Sequence, residues 1–265
     1  MARGLSRFWF WTAPLVIGVA AAIVLGTGFV LALRGATGNP LGGPPPPPPT
    51  PALAKPAGPD GVFRILVVGD SLAKGTGDET GKGFATDVFE AYQKKGKAEI
   101  TNLAVNGMES PEIRAVVETP NVRALAARAN LILVSAGGND LSHGAARGGT
   151  GAAEIVESVA TSQARYVQNL RGILSALREA NPDARIAVLG LYDPFGDDRA
   201  GGRLGASVVL QWNEIIAETA LGFPNVVVIP TFDLFQGRAD RLSADRYHPN
   251  AAAYEEIAKR VLQVV

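Results

Sequence analysis

"RILVVGDSLAKGTGDETGKGF", Arg64 to Phe84, runs from an apolar stretch straight into glycines, a serine and a lysine. Two different machines open this way. One is a glycine-rich loop that cradles phosphates; the other is a strand end that presents a nucleophilic serine. A phosphate loop of the Walker kind needs G-x-x-x-x-G-K-[ST]. Here Gly81-Lys82 is followed by Gly83, and Thr76 stands where the first glycine belongs. A dinucleotide fingerprint also fails, because Gly75-Thr76-Gly77 is followed by three residues before Gly81 instead of two. The serine reading survives.

Working outward, short β-rich apolar runs alternate with longer helical patterns. Strands are predicted at Phe63–Val68, Ile100–Val105, Leu131–Ser135, Ile186–Leu191 and Val226–Ile229. They are apolar nearly throughout, as parallel strands covered on both faces are. Helices are predicted at Phe84–Lys95, Pro111–Ala127, Ala153–Ala180, Ala206–Leu221 and Ala251–Leu262. The alternation implies an α/β domain over residues 60–265, with a five-stranded parallel sheet and right-handed crossovers. In such sheets the ligand crevice lies beyond the carboxyl ends of the strands. Ser71, Gly107, Asn139 and Asp140 all fall just after predicted strands.

A serine hydroxyl is a weak nucleophile until a base takes its proton, and that base must itself be oriented. The chain has two histidines, His143 and His248. His248 lies three residues after Asp245 in "SADRYHPN", a spacing that on one helical turn brings carboxylate and imidazole together. Taken alone, the pair also reads as a surface turn opening the last helix. Asn139, in "GGND", either points its amide into the crevice as an oxyanion donor or belongs to an ordinary turn. Gly107, in "NLAVNGMES", lets a backbone N–H approach the same point, or is merely a turn glycine.

Together these stretches resemble a known family. "GDSL" at Gly69–Leu72, Asn102 with Gly107, "GGND" at Gly137–Asp140 and "DRYH" at Asp245–His248 resemble, in order, the four blocks of the SGNH (GDSL) hydrolase superfamily. The longer "GDSLAKGTGDETGKGF" is similar to a bacterial subgroup labelled lipase or acylhydrolase. The resemblance covers about Val62 to Val265. It implies a flavodoxin-like three-layer α/β/α sandwich and neither a metal nor an organic cofactor. It also makes Ser71 the nucleophile, His248 the base and Asp245 its orienting partner. The backbone N–H groups of Ser71 and Gly107, with the Asn139 amide, would form the oxyanion hole. Ala73 departs from the Ser or Thr often found there, without touching a catalytic role. Asp70 reads as structural. His143, Arg147, Asp197, Asp198 and Arg199 read as loop or rim residues, and the pocket walls are expected at Met108–Ile113, His143–Gly151 and Tyr192–Gly205.

The rest of the chain places this domain. Ala13–Leu33 is an uncharged apolar run of 21 residues, roughly 30 Å as a helix and so enough to span a hydrocarbon core. Trp9 and Trp11 lie near its start, and Arg3 and Arg7 precede it, which favours an inside N-terminus. A cleaved signal peptide is the competing reading, but its apolar region is usually about 7–15 residues. Residues 1–34 are therefore expected to be an uncleaved membrane anchor. Residues 35–59, with six consecutive prolines at Pro44–Pro49, are expected to be a semi-rigid spacer. The catalytic domain would then lie outside the cytoplasmic membrane.

With 25 basic and 25 acidic side chains there is no basic excess for general nucleic-acid binding. The absence of cysteine excludes disulfides, thiolate metal sites and a cysteine nucleophile. The expected activity is a serine esterase or acylhydrolase acting on lipid-type acyl esters or O-acetylated envelope glycans. An O-acyltransferase using the same serine and a catalytically silent glycan-binding module are the alternatives.

Overall fold

The computed structural model of the chain describes residues 58–194 and 202–265. The expected membrane anchor lies outside them, as do all of the spacer but Gly58 and Pro59, and Asp197, Asp198 and Arg199. Among the described residues no helix is long and apolar enough to cross a membrane.

Five strands form one parallel sheet: β1 (Val62–Gly69), β2 (Lys97–Asn102), β3 (Leu131–Ser135), β4 (Arg185–Leu189) and β5 (Val226–Ile229). Their order is β2-β1-β3-β4-β5. From β1 the chain steps one way to β2 and then returns past β1 to β3. The winding therefore reverses between β1 and β3, and a crevice opens beyond their carboxyl ends. Helices connect the strands: α1 (Ser71–Lys74), α2 (Gly83–Gln93), α3 (Ser110–Val117), α4 (Pro120–Arg128), α5 (Gly138–Arg147), α6 (Ala152–Ala180), α7 (Gly202–Leu221), α8 (Phe232–Phe235) and α9 (Ala251–Leu262).

Strand alternation sorts the core into two layers, because successive side chains leave opposite faces. Leu66 and Val68 of β1, with Ile132 and Val134 of β3, pack against α3, α4, α6 and α7 through Ile113, Val122, Leu170 and Trp212. Ile65, Val67, Leu131 and Leu133 face the other way, onto Phe84 and Val88 of α2 and Tyr254 and Ile257 of α9. In the first layer the Tyr166 and Trp212 rings, 5.1 Å apart, join α6 to α7.

Three sequence expectations are corrected. β2 lies three residues earlier than Ile100–Val105. As an edge strand it is covered on one side only, so its exposed Lys97 and Glu99 are tolerated. Its apolar continuation still bonds to β1, through Leu103 N–H to the Val67 carbonyl at 2.8 Å and Val105 N–H to the Gly69 carbonyl at 3.0 Å. The single helix expected at Pro111–Ala127 is two, broken at Thr119, whose extended ψ of 145° is what a following proline imposes. The loop expected after Gly138-Asn139-Asp140 is the ten-residue helix α5.

Leu133 is fully buried in the central strand, whereas Leu221 at the end of α7 is 86% exposed. Leu133→Ala should cost about 2–5 kcal/mol of stability and Leu221→Ala close to none, read from denaturant midpoints at constant slope.

Candidate active site

β1 carries Asp70 and Ser71 just past the sheet, at the point where the winding reverses. Asp70 caps α1, accepting a hydrogen bond from the Leu72 N–H at 3.1 Å and another from the Ser135 hydroxyl. It is buried, and burial pushes its carboxyl above the usual aspartate range against the pull of those hydrogen bonds. Ser71 is the first residue of α1, where a backbone N–H has no acceptor within the helix.

The facing histidine comes from a loop closed on itself. Leu242 and Pro249 pair as an antiparallel bridge, and Ser243 N–H donates to the His248 carbonyl at 2.8 Å. Within it Asp245 Oδ1 accepts from the Ser243 hydroxyl and the Tyr247 and His248 N–H groups at 2.8, 2.8 and 2.9 Å. Its other oxygen, Oδ2, lies 2.6 Å from His248 Nδ1. His248 Nε2 lies 2.9 Å from Ser71 Oγ. An ionised carboxylate only accepts, so Nδ1 carries the proton toward Asp245 and Nε2 is left to accept from the serine. Asp245 and His248 meet in this side-chain-closed turn, not on a helical turn as the spacing suggested; α9 starts only at Ala251, capped by Asn250.

The glycines after Ser71 now have a physical reason. Gly77 adopts φ +94°, and a Cβ there would lie 2.7 Å from both His248 Cβ and the Pro249 carbonyl oxygen. Only glycine allows the two loops to approach so closely. Two tyrosines to which the sequence reading gave no such role secure the same contact. Tyr254 donates to the Thr76 carbonyl at 2.8 Å. Tyr192, its ring tilted by 30° against Phe235 at 4.3 Å, donates to the Tyr247 carbonyl at 2.8 Å. Both lie far in sequence from the groups they hold, and no local motif announces them.

On the other side of Ser71, the segment after β2 holds the second group of predicted residues. Asn102 donates to the Ala73 carbonyl at 2.9 Å, tying this segment to α1. Gly107 turns the chain with φ +81°. The Asn139 amide donates to the Met108 carbonyl at 2.9 Å. Ser71 and Asn139 line one cavity of about 340 Å³; Gly107, next to the carbonyl that fixes Asn139, does not line it. The cavity's walls are largely apolar, with Leu141, Val159, Leu191 and Val209 among them. Of the expected walls, Met108–Ile113 contributes no lining residue, and His143 points to Glu109 instead, Nδ1 to Oε1 at 2.9 Å. Among the described residues no group of His, Asp or Glu side chains is placed to hold a metal ion.

Residues 67–256 match the GDSL-like lipase/acylhydrolase family. The chain belongs to that family. It is 28% identical over 207 residues to the uncharacterized protein YpmR of Bacillus subtilis, covering 76% of this chain and 80% of that one. It is 27% identical over 210 residues to the spore germination lipase LipC of Bacillus licheniformis, covering 75% of this chain and 94% of that one. Among solved structures it is similar to the lipase Lip_vut3 from a goat rumen metagenome, with a TM-score of 0.66 and 24% identity over 76% of this chain and 97% of that one. The protein is accordingly a carboxylic ester hydrolase of the GDSL type.

The electrostatics of this GDSL site centre on Asp245. Partial burial opposes its ionisation, but the His248 ring, the His248 and Tyr247 N–H groups and the Ser243 hydroxyl outweigh that and hold it well below the usual aspartate range. A depressed carboxylate stabilises the fold fully above its ordinary value of 3.8 and loses that contribution as pH falls through the folded value. Asp245→Asn should therefore flatten the acid limb of the stability profile below about pH 4, measured by thermal unfolding across pH. Tyr192→Phe leaves the Tyr247 carbonyl without its donor, at a cost of about 1 kcal/mol or more. A fall of about 5–10-fold in kcat with little change in KM is expected from initial-rate kinetics.

Proposed function

We propose that this enzyme hydrolyses lipid-type acyl esters by two-step acyl transfer, with Ser71 as nucleophile, His248 as base and Asp245 as the carboxylate that orients it. One observation carries the reading: the hydrogen-bonded line Asp245–His248–Ser71 ends at the mouth of an apolar cavity of about 340 Å³. Ser71 Oγ attacks the ester carbonyl carbon while His248 Nε2 takes its proton. The negative charge on the carbonyl oxygen is met by the Ser71 and Gly107 N–H groups and the second N–H of the Asn139 amide. His248 then returns the proton to the leaving alcohol as the ester C–O bond breaks. Water, activated by the same imidazole, releases the acyl group from Ser71. Proton transfer of this kind contributes roughly 10²–10⁴ in rate, and one well-placed oxyanion donor a further 10²–10³ or so.

The cavity favours an acyl chain over acetyl. Its volume lies in the lower part of the roughly 300–1,000 Å³ range of ligand pockets, far more than two carbons fill. Its walls supply few polar partners for sugar hydroxyls, and an unpaired hydroxyl buried there would cost about 1–3 kcal/mol. LipC, a lipase by name, agrees with this choice. The apolar run Ala13–Leu33 supports a membrane anchor that holds the enzyme outside the cytoplasmic membrane, next to lipid esters.

The test uses the full-length chain with p-nitrophenyl esters from acetyl to palmitoyl. Serine-dependent turnover peaking at a medium chain is expected, with Ser71→Ala and His248→Ala each lowering kcat by about 10³ or more while the fold persists. Near wild-type turnover in Ser71→Ala would refute the nucleophile, and a peak at acetyl would refute the acyl pocket.

A further inference from the structure

One wall of the cavity stands clear of the sheet. α6 has 29 residues, about 43 Å as a helix, while a five-residue strand spans only about 17 Å. The buried apolar residues of α6 begin at Tyr166 and continue through Leu170, Ile173, Leu174 and Leu177. Ahead of Ser162 none of its described side chains is buried. This free half pairs with α5, through Ser158 Oγ donating to the Gly144 carbonyl at 2.7 Å and Arg147 to Ser162 Oγ at 3.2 Å. Leu141 and Ala145 of α5 and Val159 of α6 line the cavity.

One carboxylate gathers groups from both helices of this pair and ties them to the segment after β2. Glu109 lies two residues after Gly107 and its side chain is only 14% exposed. Its Oε1 accepts from His143 Nδ1 at 2.9 Å and from Arg147 at 2.8 Å, both on α5. Its Oε2 accepts from Arg165 of α6. Alongside, the buried Asp140 of α5 accepts from the Ser110 N–H at 2.8 Å and the Ser110 hydroxyl at 2.6 Å. Exposed ion pairs taken singly are worth about 0–1 kcal/mol, but charges converging on one half-buried carboxylate act as a network.

We infer that Glu109 is a positioning residue for acyl-chain selection: by gathering His143, Arg147 and Arg165 it sets the α5–α6 wall against which the distal acyl carbons pack. The inference rests on reading the cavity as the acyl pocket. An acetyl group stays beside Ser71 and does not reach that wall, whereas an octanoyl chain depends on it.

The experiment compares p-nitrophenyl acetate and octanoate on the full-length chain for wild type, Glu109→Gln and Arg165→Gln. In both variants the octanoate-to-acetate ratio of kcat/KM should fall about tenfold, chiefly through KM for octanoate. In wild type, raising salt from about 0.05 M to 1 M screens the network and should lower the same ratio, with little effect in Glu109→Gln. General salting-out of a hydrophobic ester would move the ratio the other way. If Glu109→Gln does not fold, Arg165→Gln and the wild-type salt series decide. A wild-type preference for octanoate whose ratio is unchanged by substitution and by salt overturns the inference alone. A wild-type peak at acetate overturns the acyl pocket and the inference together.

Discussion

The 2.9 Å contact between Ser71 Oγ and His248 Nε2 closes a gap of 177 positions in the sequence, and the architecture is arranged around making that closure. A parallel sheet brings every strand's carboxyl end to one side of the molecule. The serine at the end of the first strand and the loop that precedes the last helix therefore share an edge. The reversal between β1 and β3 leaves the edge open at Ser71. What the sheet cannot supply is the last few ångströms. Those come from Gly77, which lets the loops touch, and from the hydroxyls of Tyr192 and Tyr254, which hold the backbone on either side of the contact.

The histidine loop is rigid for local reasons. Both oxygens of Asp245 are engaged: three donors converge on Oδ1 and the imidazole meets Oδ2. The carboxylate is thus a folding element of its own turn as well as the partner of the ring. This explains why a group that is 45% exposed can orient an imidazole at all: charge-assisted hydrogen bonds within a few residues are short and mutually dependent, whereas a lone exposed ion pair would be loose.

Much of this was legible in the residues, and the limits have physical causes. The four blocks named Ser71, Gly107, Asn139, Asp245 and His248, and the structure brings serine, histidine and aspartate into one line. Apolar runs found β1, β3 and β4, whose neighbours bury them, and β5, an edge strand that is nonetheless apolar throughout. The same signal misplaced β2, because this edge strand opens with the exposed Lys97 and Glu99 while the apolar run continues past its end through Leu103–Val105. α5 was hidden by two glycines within it, a glycine at each cap and a polar face, since tertiary contacts to α6 and Glu109 stabilise it and intrinsic propensity does not. The roles of Tyr192, Tyr254 and Glu109 left no trace, although Tyr192 and Glu109 fell within expected walls, because each acts on partners distant in sequence through hydrogen bonds or ion pairs that no spacing encodes.

The division of α6 into a half buried on the sheet and a half standing above it has an evolutionary consequence. Along α6 the residues that hold the domain together, from Tyr166 onward, are separate from Val159, which with Leu141 and Ala145 of α5 shapes one wall of the chamber. Because destabilisation is what most often removes a new variant, a lineage could explore changes in chamber size at this wall with its folding margin nearly intact. Selectivity in such a protein can drift quickly while the chemistry stays fixed.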